Sequence, residues 1–229
     1  MLKKKINIYC IIPAKKRSIR LKNKNIKKIN KKHLIGHVIK NVKKTKLFKK
    51  IIVSSDSGNI HKIANQYGKV QNYKRDISLS DSFTGTDDVV RDVIKKMSID
   101  KKDIIMCIYP TAVLANSKII ISSYKKFLKN KMKCLISVKE FNHPIQRAFQ
   151  INNKNSIIKK INNKSLNKRT QDLKKFYHDA GQFYWATAEK WLKNKNIINN
   201  ETYSFLLKSF EAIDIDNEED FQHLKQILK

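Results

Sequence analysis

The sequence predicts an α/β fold in which a mostly parallel central sheet is flanked by helices. Short apolar runs alternate along the chain with stretches whose apolar residues recur at helical spacing, which is typical of βαβ units. The first run, Ile6–Ile12, is almost continuously apolar, as expected for a strand buried in the middle of a parallel sheet. With 229 residues, 41% of them hydrophobic, the chain is long enough to bury a substantial core.

Strand predictions follow from the apolar runs, and helix predictions from apolar residues spaced three or four apart. The predicted strands are Ile6–Ile12, Ile51–Ser54, Ile104–Tyr109, Leu135–Val138, Gln182–Trp185 and Glu211–Asp216. The predicted helices are Leu34–Val42, Ile60–Tyr67, a helix from Thr84 or Thr86 to about Met97, Ile119–Leu128, Thr187–Leu192 and Glu218–Leu228.

Boundary signals support several of these elements. Gly68 ends the second helix, and either Thr84 or Thr86 can cap the third. Asn217 can cap the last helix. The stretch Phe149–Ile161, interrupted by Asn-rich turns, predicts a hairpin or an excursion from the sheet. Neither an internal repeat nor a Pro- or Gly-rich linker divides the sequence, so a single domain is predicted over residues 1–229.

A formal net charge of +31 raises the question of nucleic-acid binding. The charge is almost entirely Lys and is spread from end to end, without an Arg-rich stripe or interleaved aromatic residues. We therefore predict no nucleic-acid partner, although this charge would attract a polyanionic small ligand such as a nucleotide.

A cytoplasmic protein without a membrane partner is predicted. Apolar runs stay well short of the ~18 residues of a membrane span, and the start lacks the length and cleavage site of a signal peptide. Cys10, Cys107 and Cys134 lie in apolar runs, are odd in number and have no paired spacing. This pattern indicates buried, reduced thiols.

The segment Arg169–Trp185 differs from the rest of the chain, in which Lys, Asn and Ile dominate. It contains an Arg, two Gln, two Asp, a His, a Gly and several aromatic residues. Such varied chemistry in a short stretch predicts half of a binding site, with the other half near the strand ends upstream.

The loop after the first strand is basic, and it also carries a hydroxyl group at Ser18. Ligands of doubly wound sheets bind outside the carboxyl ends of the strands, where converging cations suit a triphosphate. From these residues alone, an ordinary surface loop of a Lys-rich protein is an equal alternative.

Spacing favours the binding interpretation. Ile12-Pro13-Ala14-Lys15-x-x-Ser18-x-Arg20-x-x-x-Lys24-Asn25 resembles the nucleotide-binding signature of the CMP-sugar synthetases, the acylneuraminate cytidylyltransferase family. The resemblance covers essentially the whole chain through Ser54-Ser55-Asp56, Arg75 with Leu79 and Asp81, Tyr109-Pro110-Thr111, and Asp214-Ile215-Asp216. Within the family, Arg169–Leu173 followed by Tyr177–Gly181 is most similar to the pseudaminic acid cytidylyltransferases.

The resemblance implies a Rossmann-like nucleotidyltransferase fold and a CTP-dependent enzyme. That enzyme would transfer CMP to the anomeric hydroxyl of pseudaminic acid and release pyrophosphate, with Mg²⁺ as its cofactor. It would be a homodimer in which roughly residues 140–185 form the sugar site and the dimerisation region. The alternatives are the same chemistry on legionaminic, N-acetylneuraminic or deoxyoctulosonic acid, or a non-catalytic nucleotide or nucleic-acid binder.

Site residues also follow from the resemblance. The nucleotide-binding residues would be Ala14, Lys15, Ser18, Arg20, Lys24, Asn25, Arg75 and Asp81. The sugar-binding residues would be Tyr109, Arg169, Gln171, His178 and Asp179, with Arg147 as a second candidate for the sugar carboxylate. The catalytic residues would be Asp214, Asp216 and Lys24, the two carboxylates serving as metal ligands.

The two carboxylates have an independent signal in the sequence. Asp214 and Asp216 alternate with Ile213 and Ile215, so a strand here would present both carboxylates on one face. Paired carboxylates beside a triphosphate suit Mg²⁺, and the resemblance implies that role. The residues alone also allow one of the carboxylates to cap the last helix.

Other roles remain open from the sequence. His178 and Asp179 either orient the sugar or form a polar pair against the sheet. The aromatic residues Phe183, Tyr184 and Trp185 are predicted to be core or dimer-interface residues rather than stacking platforms.

The first loop departs from the family pattern. Lys16-Arg17 stands where many relatives carry Gly-Gly, Ile19 where Lys or Gly is frequent, and Lys15 where Arg is usual. Glycines permit close approach of the backbone to phosphate, and Lys lacks the bidentate fork of Arg. These differences predict an altered loop and weaker triphosphate binding.

Overall fold

The structure is a computed structural model that describes residues 5–81, 83–131, 133–152, 156–160, 167–193 and 196–228. The strands in these ranges are β1 Ile8–Pro13, β2 Lys28–Ile29, β3 Lys32–His33, β4 Lys50–Ser55, β5 Gln71–Lys74, β6 Ile104–Ile108, β7 Leu135–Glu140, β8 Phe149–Ile151, β9 Ile158–Lys160, β10 Tyr177–Thr187 and β11 Tyr203–Leu207. The α-helices are α1 Leu34–Lys44, α2 Gly58–Asn65, α3 Thr86–Lys96, α4 Ser117–Lys129, α5 Ala188–Lys193 and α6 Glu218–Ile227.

Seven strands form one sheet in the order β11-β7-β10-β6-β1-β4-β5. Strand β10 runs antiparallel to both of its neighbours, and the other pairings are parallel. The mostly parallel α/β architecture predicted from the sequence is therefore confirmed.

Helices cover both faces of the sheet, and β1 shows why its sequence is apolar throughout. Cys10 and Ile12 pack on the face covered by α1, α2 and α4, whereas Tyr9 and Ile11 pack on the face covered by α3 and α5. Successive side chains of a strand point to opposite faces, so a strand covered on both sides has no polar alternation.

A smaller hydrophobic cluster attaches α6 to the end of the sheet. Phe221 and Leu224 of α6 pack with Leu21 of the first loop and Leu34 of α1. The chain's last helix is thereby fixed next to the loop that follows its first strand.

Most predicted elements are confirmed with small shifts at their ends. Asn217 caps α6 as predicted, in a reciprocal capping box with Asp220. The predicted excursion is a separate antiparallel hairpin of β8 and β9, although Ile161 lies outside the described residues. Neither Thr84 nor Thr86 caps α3, because Gly85 occupies the cap position. The Thr86 hydroxyl instead bonds the Tyr109 hydroxyl at 2.8 Å.

The predicted strand Glu211–Asp216 is wrong, because this segment forms no strand and lies outside the sheet. Side chains satisfy its backbone groups: Gln182 Nε2 donates to the Ile213 carbonyl at 3.1 Å, and the Asp220 carboxylate accepts from the Asp216 N–H at 2.9 Å. The sheet edge beside β7 is occupied by β11. The two edge strands, β5 and β11, were not predicted from the sequence, and both are mostly exposed.

The cysteines are buried free thiols, as predicted. Burial raises the pKa of the Cys10 and Cys107 thiols well above the ordinary range. Within the described residues, no helix combines the length and the apolar character needed to cross a membrane.

Candidate active site

A cavity of about 460 Å³ opens beyond the carboxyl ends of β1, β5 and β6. This volume lies in the range of roughly 300–1,000 Å³ that is typical of small-molecule sites. The predicted site residues that line it are Lys15, Ser18, Arg20, Lys24, Asn25, Arg75, Asp81, Tyr109, Asp214 and Asp216.

Hydrogen bonds to the neighbouring strand hold the first loop. The Ala14 N–H donates to the Ser54 carbonyl at 2.8 Å, and the Lys16 N–H donates to the Asp56 carboxylate at 2.7 Å. Buried Asn25 closes the loop by donating to the Lys15 carbonyl at 2.9 Å. Ala14 itself is buried behind the cavity lining, so its contribution is to the backbone path of the loop.

The departure at Lys16-Arg17 does not strain the loop. Among its described non-glycine residues, positive φ occurs at Asn23, with a φ of 56°, and not at Lys16 or Arg17. The loop therefore does not require glycine at those two positions. Neither side chain lines the cavity.

Arg75 is a fixed cation at the end of β5. Its side chain is buried, and it donates from Nε to the Ser54 hydroxyl at 3.1 Å and from Nη2 to the Ser54 carbonyl at 2.7 Å. Burial lowers the pKa of the Arg75 guanidinium and the carboxylate of Asp56 raises it, but the group stays charged at neutral pH.

Asp81 shapes the opposite wall through a tight turn. Its carboxylate accepts from the Phe83 N–H at 2.9 Å and from the Thr84 N–H at 2.6 Å. Hydrogen bonds from Thr84 lower the pKa of the Asp81 carboxyl. The Asp81 carbonyl accepts from Lys15 Nζ at 3.1 Å, which ties this turn to the first loop.

Two cations of the first loop converge on Asp216. Arg20 Nη2 lies 2.8 Å from one carboxylate oxygen, and Lys24 Nζ lies 3.1 Å from the other. Arg20 is 70% exposed, so we attribute little stability to its ion pair. The arrangement instead aims two positive groups into the cavity beside Asp214.

The Asp214 side chain is exposed to solvent within the cavity, but the surrounding protein still disfavours its ionised form. Desolvation and the nearby charge of Asp216 raise the pKa of the Asp214 carboxyl, and Lys24 partly opposes that shift. Ile213 and Ile215 are buried on the other side of the chain. The alternation predicted for a strand is thus retained in a segment without a strand partner.

A bulge in β10 lies directly behind Asp214. Four residues, Ala180–Phe183, lie opposite Ser137 alone, and the buried Ser137 hydroxyl accepts from the backbone N–H groups of Gln182 and Phe183. Gly181 has a φ of +59°, and a Cβ atom there would lie 3.3 Å from Asp214 Oδ2. Glycine therefore serves both the bulge conformation and the close approach of Asp214.

Gln182 connects this bulge to the carboxylate segment. Its side chain is 1% exposed, and Nε2 donates to the carbonyls of Ala180 at 2.9 Å, Gly181 at 3.1 Å and Ile213 at 3.1 Å. From the sequence, Gln182 is predicted to begin a strand within the binding segment Arg169–Trp185, but it is not among the predicted site residues. A buried amide at the start of a predicted apolar strand was the signal that could have indicated its role.

The residues predicted to bind the sugar lie in different parts of the structure. Tyr109 lines the cavity, and burial raises the pKa of its hydroxyl to about 12. Asp179 lies outside that cavity, where its carboxylate accepts from the Tyr184 hydroxyl at 2.7 Å and from the Gly181 N–H at 2.9 Å. Phe183, Tyr184 and Trp185 are buried, which confirms that these aromatic residues belong to the core.

The remaining sugar-side candidates lie outside the cavity. Arg169 is 78% exposed and pairs with Asp172 at 3.3 Å, and Gln171 is exposed as well. His178 packs against Phe141 at a ring distance of 4.8 Å, and its Nδ1 lies 2.8 Å from the Asp179 carbonyl. Arg147 donates to the Thr170 hydroxyl at 3.2 Å and to the Lys168 carbonyl.

Several lining residues were not predicted as site residues. They are Pro13, Ile19, Leu21, Leu79, Thr84, Thr86, Val89, Pro110 and Thr111. Their sequence signals are weak, because apolar and hydroxyl residues are common throughout the chain. Within the ranges that the structure describes, no group of three or more His, Cys, Asp or Glu side chains could hold a metal ion.

Residues 9–228 match the family model described as "Cytidylyltransferase". The chain is 36% identical to a pseudaminic acid cytidylyltransferase of Campylobacter jejuni, over 96% of this chain and 95% of that protein. It is also 30% identical to a CMP-N,N'-diacetyllegionaminic acid synthase of the same species, over 94% of this chain and 92% of that protein.

Solved structures show the same fold. A CMP:2-keto-3-deoxy-manno-octonic acid synthetase complexed with CTP superposes with a TM-score of 0.69, covering 97% of this chain and 98% of its own. At 12% sequence identity, this likeness supports the fold alone.

Proposed function

The chain belongs to the cytidylyltransferase family, and on that premise we propose that it transfers CMP from CTP to the anomeric hydroxyl of pseudaminic acid. The observation that carries the proposal is the convergence of Lys15, Arg20, Lys24 and the pair Asp214–Asp216 on one cavity. The similarity to pseudaminic acid cytidylyltransferases supports this sugar over other nonulosonic acids.

In the proposed reaction, the anomeric oxygen attacks the α-phosphorus of CTP in line. A new P–O bond forms as the bond to the β-phosphate breaks, the hydroxyl proton passes to water or to one of the carboxylates Asp214 and Asp216, and pyrophosphate leaves. Lys15, Arg20 and Lys24 would neutralise the triphosphate. Because Asp216 contacts both Arg20 and Lys24, those cations are oriented before the nucleotide binds.

We further propose that Asp214 and Asp216 hold Mg²⁺. The donor set fits, since two carboxylates leave positions for substrate phosphates and water, the ligands that Mg²⁺ prefers. The charge of Asp216 penalises that of Asp214, and a divalent cation would relieve this repulsion. Bound there, the ion would offset charge that develops on the phosphates.

The proposal also includes a homodimer in the cytoplasm. Buried free thiols fit a reducing compartment. The β8–β9 hairpin exposes Phe149, Ile151 and Ile158, each at 46% or more, and a second copy would cover such a surface. We expect light scattering to give twice the 26.8 kDa mass of the chain. A monomer at micromolar concentration would contradict this part of the proposal.

The reaction is tested by pyrophosphate release from CTP and Mg²⁺ with pseudaminic, legionaminic and N-acetylneuraminic acids in parallel. We expect release with pseudaminic acid at the highest kcat/KM. Release only with another sugar would keep the reaction and overturn the proposed acceptor. If the folded protein releases no pyrophosphate with any of these sugars but binds DNA at physiological salt, the enzyme proposal is overturned in favour of a binding protein.

A further inference from the structure

A second cavity lies at the opposite end of β4 from the candidate active site. Its volume is about 390 Å³, and it is formed by the end of α1, the loop that leads into β4, and the start of β5. We call it the amino-end cavity, because it lies where β4 and β5 begin. It shares no described lining residue with the active-site cavity. Its volume lies in the range of roughly 300–1,000 Å³ for sites that hold a whole small molecule.

The described lining of the amino-end cavity contains many cations and no Asp or Glu. Its exposed cations are Lys43, Lys46, Lys49, Lys50 and Lys69. None of these five forms an ion pair with a described carboxylate. In the active-site cavity, by contrast, Arg20 and Lys24 are both paired with Asp216. The lysines of the amino-end cavity therefore repel one another without a compensating negative charge.

The surrounding surface does not supply that negative charge. Helices α1, α2 and α4, which cover this face of the sheet, contain no Asp or Glu, whereas α3, α5 and α6 each contain at least one. The sequence of loop 45–49 and of strands β4 and β5 contains none either. An anion from solution would balance this charge.

The chain around these lysines is held in a fixed shape. The buried Thr45 hydroxyl donates to the Val42 carbonyl at 2.7 Å and accepts from the Leu47 N–H at 3.3 Å. The Lys43 side chain lies against Gly68, which has a φ of +135° and where a Cβ atom would collide with Lys43 Nζ. The cavity wall is therefore preorganised rather than formed by freely moving side chains alone.

The floor of the cavity is apolar. Val42 and Ile51 are buried there, and the half-buried Phe48 and Val70 pack against the same hydrophobic core. The Phe48 ring stacks on the fully buried Trp185, with ring centroids 5.9 Å apart and an angle of 16° between the planes. This floor would remove an apolar or aromatic group of a ligand from water.

We propose that the amino-end cavity binds a small molecule that joins several phosphate groups to an aromatic or other apolar group, the chemistry of a nucleoside polyphosphate. The phosphates lie among the lysine ammonium groups, and the apolar group lies on the floor. Lysine supplies point charges rather than the planar fork of arginine, so the site selects for negative charge more than for one phosphate geometry. This inference does not depend on the proposed function.

The same face favours a small molecule over a membrane or a second copy of the chain. Leu128, at 42%, is the most exposed large apolar side chain of α1, α2 and α4 among the described residues, so these helices offer little to insert into a bilayer. A second copy would bring the same positive charge to this face, and the two copies would repel each other.

The test removes charge from the cavity and, as a matched control, from another part of the same face. Lys43→Gln/Lys46→Gln changes the cavity, and Lys125→Gln/Lys126→Gln removes two exposed charges of α4 away from both cavities. In isothermal titration calorimetry with ATP, we expect Kd to rise about tenfold in the cavity variant and less than about twofold in the control. An equal rise in both variants would mean that ATP responds only to the overall charge, and would overturn the inference.

Thermal unfolding gives a second readout that a loss of folding cannot imitate. Because like charges are removed, the Tm of the cavity variant without ATP should be no lower than that of the wild type. ATP should raise the Tm of the wild type and of the control, but not that of the cavity variant. A Tm increase that persists in the cavity variant would place ATP elsewhere and contradict the inference.

Inorganic tripolyphosphate tests the apolar floor. It carries the negative charge of ATP without the base, so we expect ATP to bind about tenfold more tightly. Equal affinities would contradict the proposed ligand class. Binding of phosphatidylglycerol vesicles that the cavity variant abolishes, in protein that does not bind ATP, would overturn the small molecule in favour of a membrane surface.

Arg20→Ala separates this cavity from the active site. ATP binding should persist in Arg20→Ala, and KM for CTP should be unchanged in Lys43→Gln/Lys46→Gln. Loss of ATP binding in Arg20→Ala but not in the cavity variant would place ATP in the active-site cavity and overturn the inference, while leaving the proposed function intact. Conversely, absence of pyrophosphate release with every sugar would overturn the proposed function, while ATP binding lost only in the cavity variant would still support this site.

Discussion

The proposed nucleotide side and the proposed sugar side of the candidate site are built differently. The proposed nucleotide side consists of loop 14–25, Arg75 and the Asp214–Asp216 pair, and its predicted residues other than buried Ala14 line one cavity of a single copy. On the sugar side, Arg169 and Gln171 of segment 169–185 stay at the surface, whereas the second half of the same segment is buried. Residues that directly follow parallel strands meet at the same edge of the sheet. Segment 169–185 instead enters the sheet partway along its length, so its two halves lie in different environments.

The difference also concerns preorganisation. Asp216 aligns the cations Arg20 and Lys24 with direct contacts, and the bulge of β10 supports Asp214 from behind. Arg169 contacts Asp172 of its own segment at 3.3 Å. We therefore expect changes on the nucleotide side to reduce kcat or raise KM for CTP, and changes on the sugar side to raise KM for the sugar.

The largest effect is expected at Asp216. Asp216→Ala removes a proposed metal ligand and releases both cations, so kcat should fall by about 10²- to 10³-fold or more while the fold is retained. Steady-state kinetics and circular dichroism measure this, with Glu219→Ala as a nearby exposed control. An unchanged kcat would contradict the proposed role of this carboxylate.

A change at Gln182 tests whether the buried half of segment 169–185 positions Asp214. Gln182→Leu leaves the carbonyls of Ala180, Gly181 and Ile213 without their side-chain donor. We expect a loss of about 2 kcal/mol in the free energy of unfolding and a fall in kcat of about tenfold.

Urea unfolding measures the stability, and steady-state kinetics at urea concentrations below the unfolding transition measure kcat. The same substitution at an exposed glutamine, Gln66→Leu, is the control. A loss of stability without any change in kcat would show that Gln182 does not position Asp214.

Arg169 tests the exposed half of the segment. If a guanidinium at this position binds the sugar carboxylate in the dimer, Arg169→Ala should raise KM for the sugar by about tenfold and leave KM for CTP unchanged. Lys168→Ala, its exposed neighbour, is the control. Equal changes in both KM values would count against a carboxylate contact.

The smallest effect is expected at Arg17, although it lies in the basic loop. Arg17 does not line the cavity, so Arg17→Ala should change KM for CTP by less than about threefold, and high salt should remove that difference. Arg20→Ala should have a clearly larger effect, because Arg20 lines the cavity and contacts Asp216. An effect at Arg17 as large as that at Arg20 would mean that the loop changes shape when nucleotide binds.

Local signals were sufficient for elements and residues that depend on local chemistry. The apolar run of β1, the Asn217 cap and the alternation of Ile213 and Ile215 with two carboxylates each gave a prediction that the structure confirms in burial or bonding. The single domain, the homodimer and Mg²⁺ binding stay predictions.

Local signals failed where a distant part of the chain supplied the partner. Glu211–Asp216 has the apolar alternation of a strand, but its backbone is bonded by Gln182 and Asp220 rather than by a neighbouring strand. Strand β11 was not predicted from the sequence and still pairs with β7, because pairing depends on which edge is open.

The sequence by itself determined the α/β class, the basic loop after β1 and the carboxylate pair, because these features follow from side-chain chemistry and short-range periodicity. Only the tertiary structure decided that the β10 bulge supports Asp214, that Arg169 lies outside the nucleotide cavity, and that Lys46 and Lys69 line a second cavity at the start of β4 and β5. Those relations join residues far apart in the chain, and their geometry depends on how strands pair and where a bulge shifts the register.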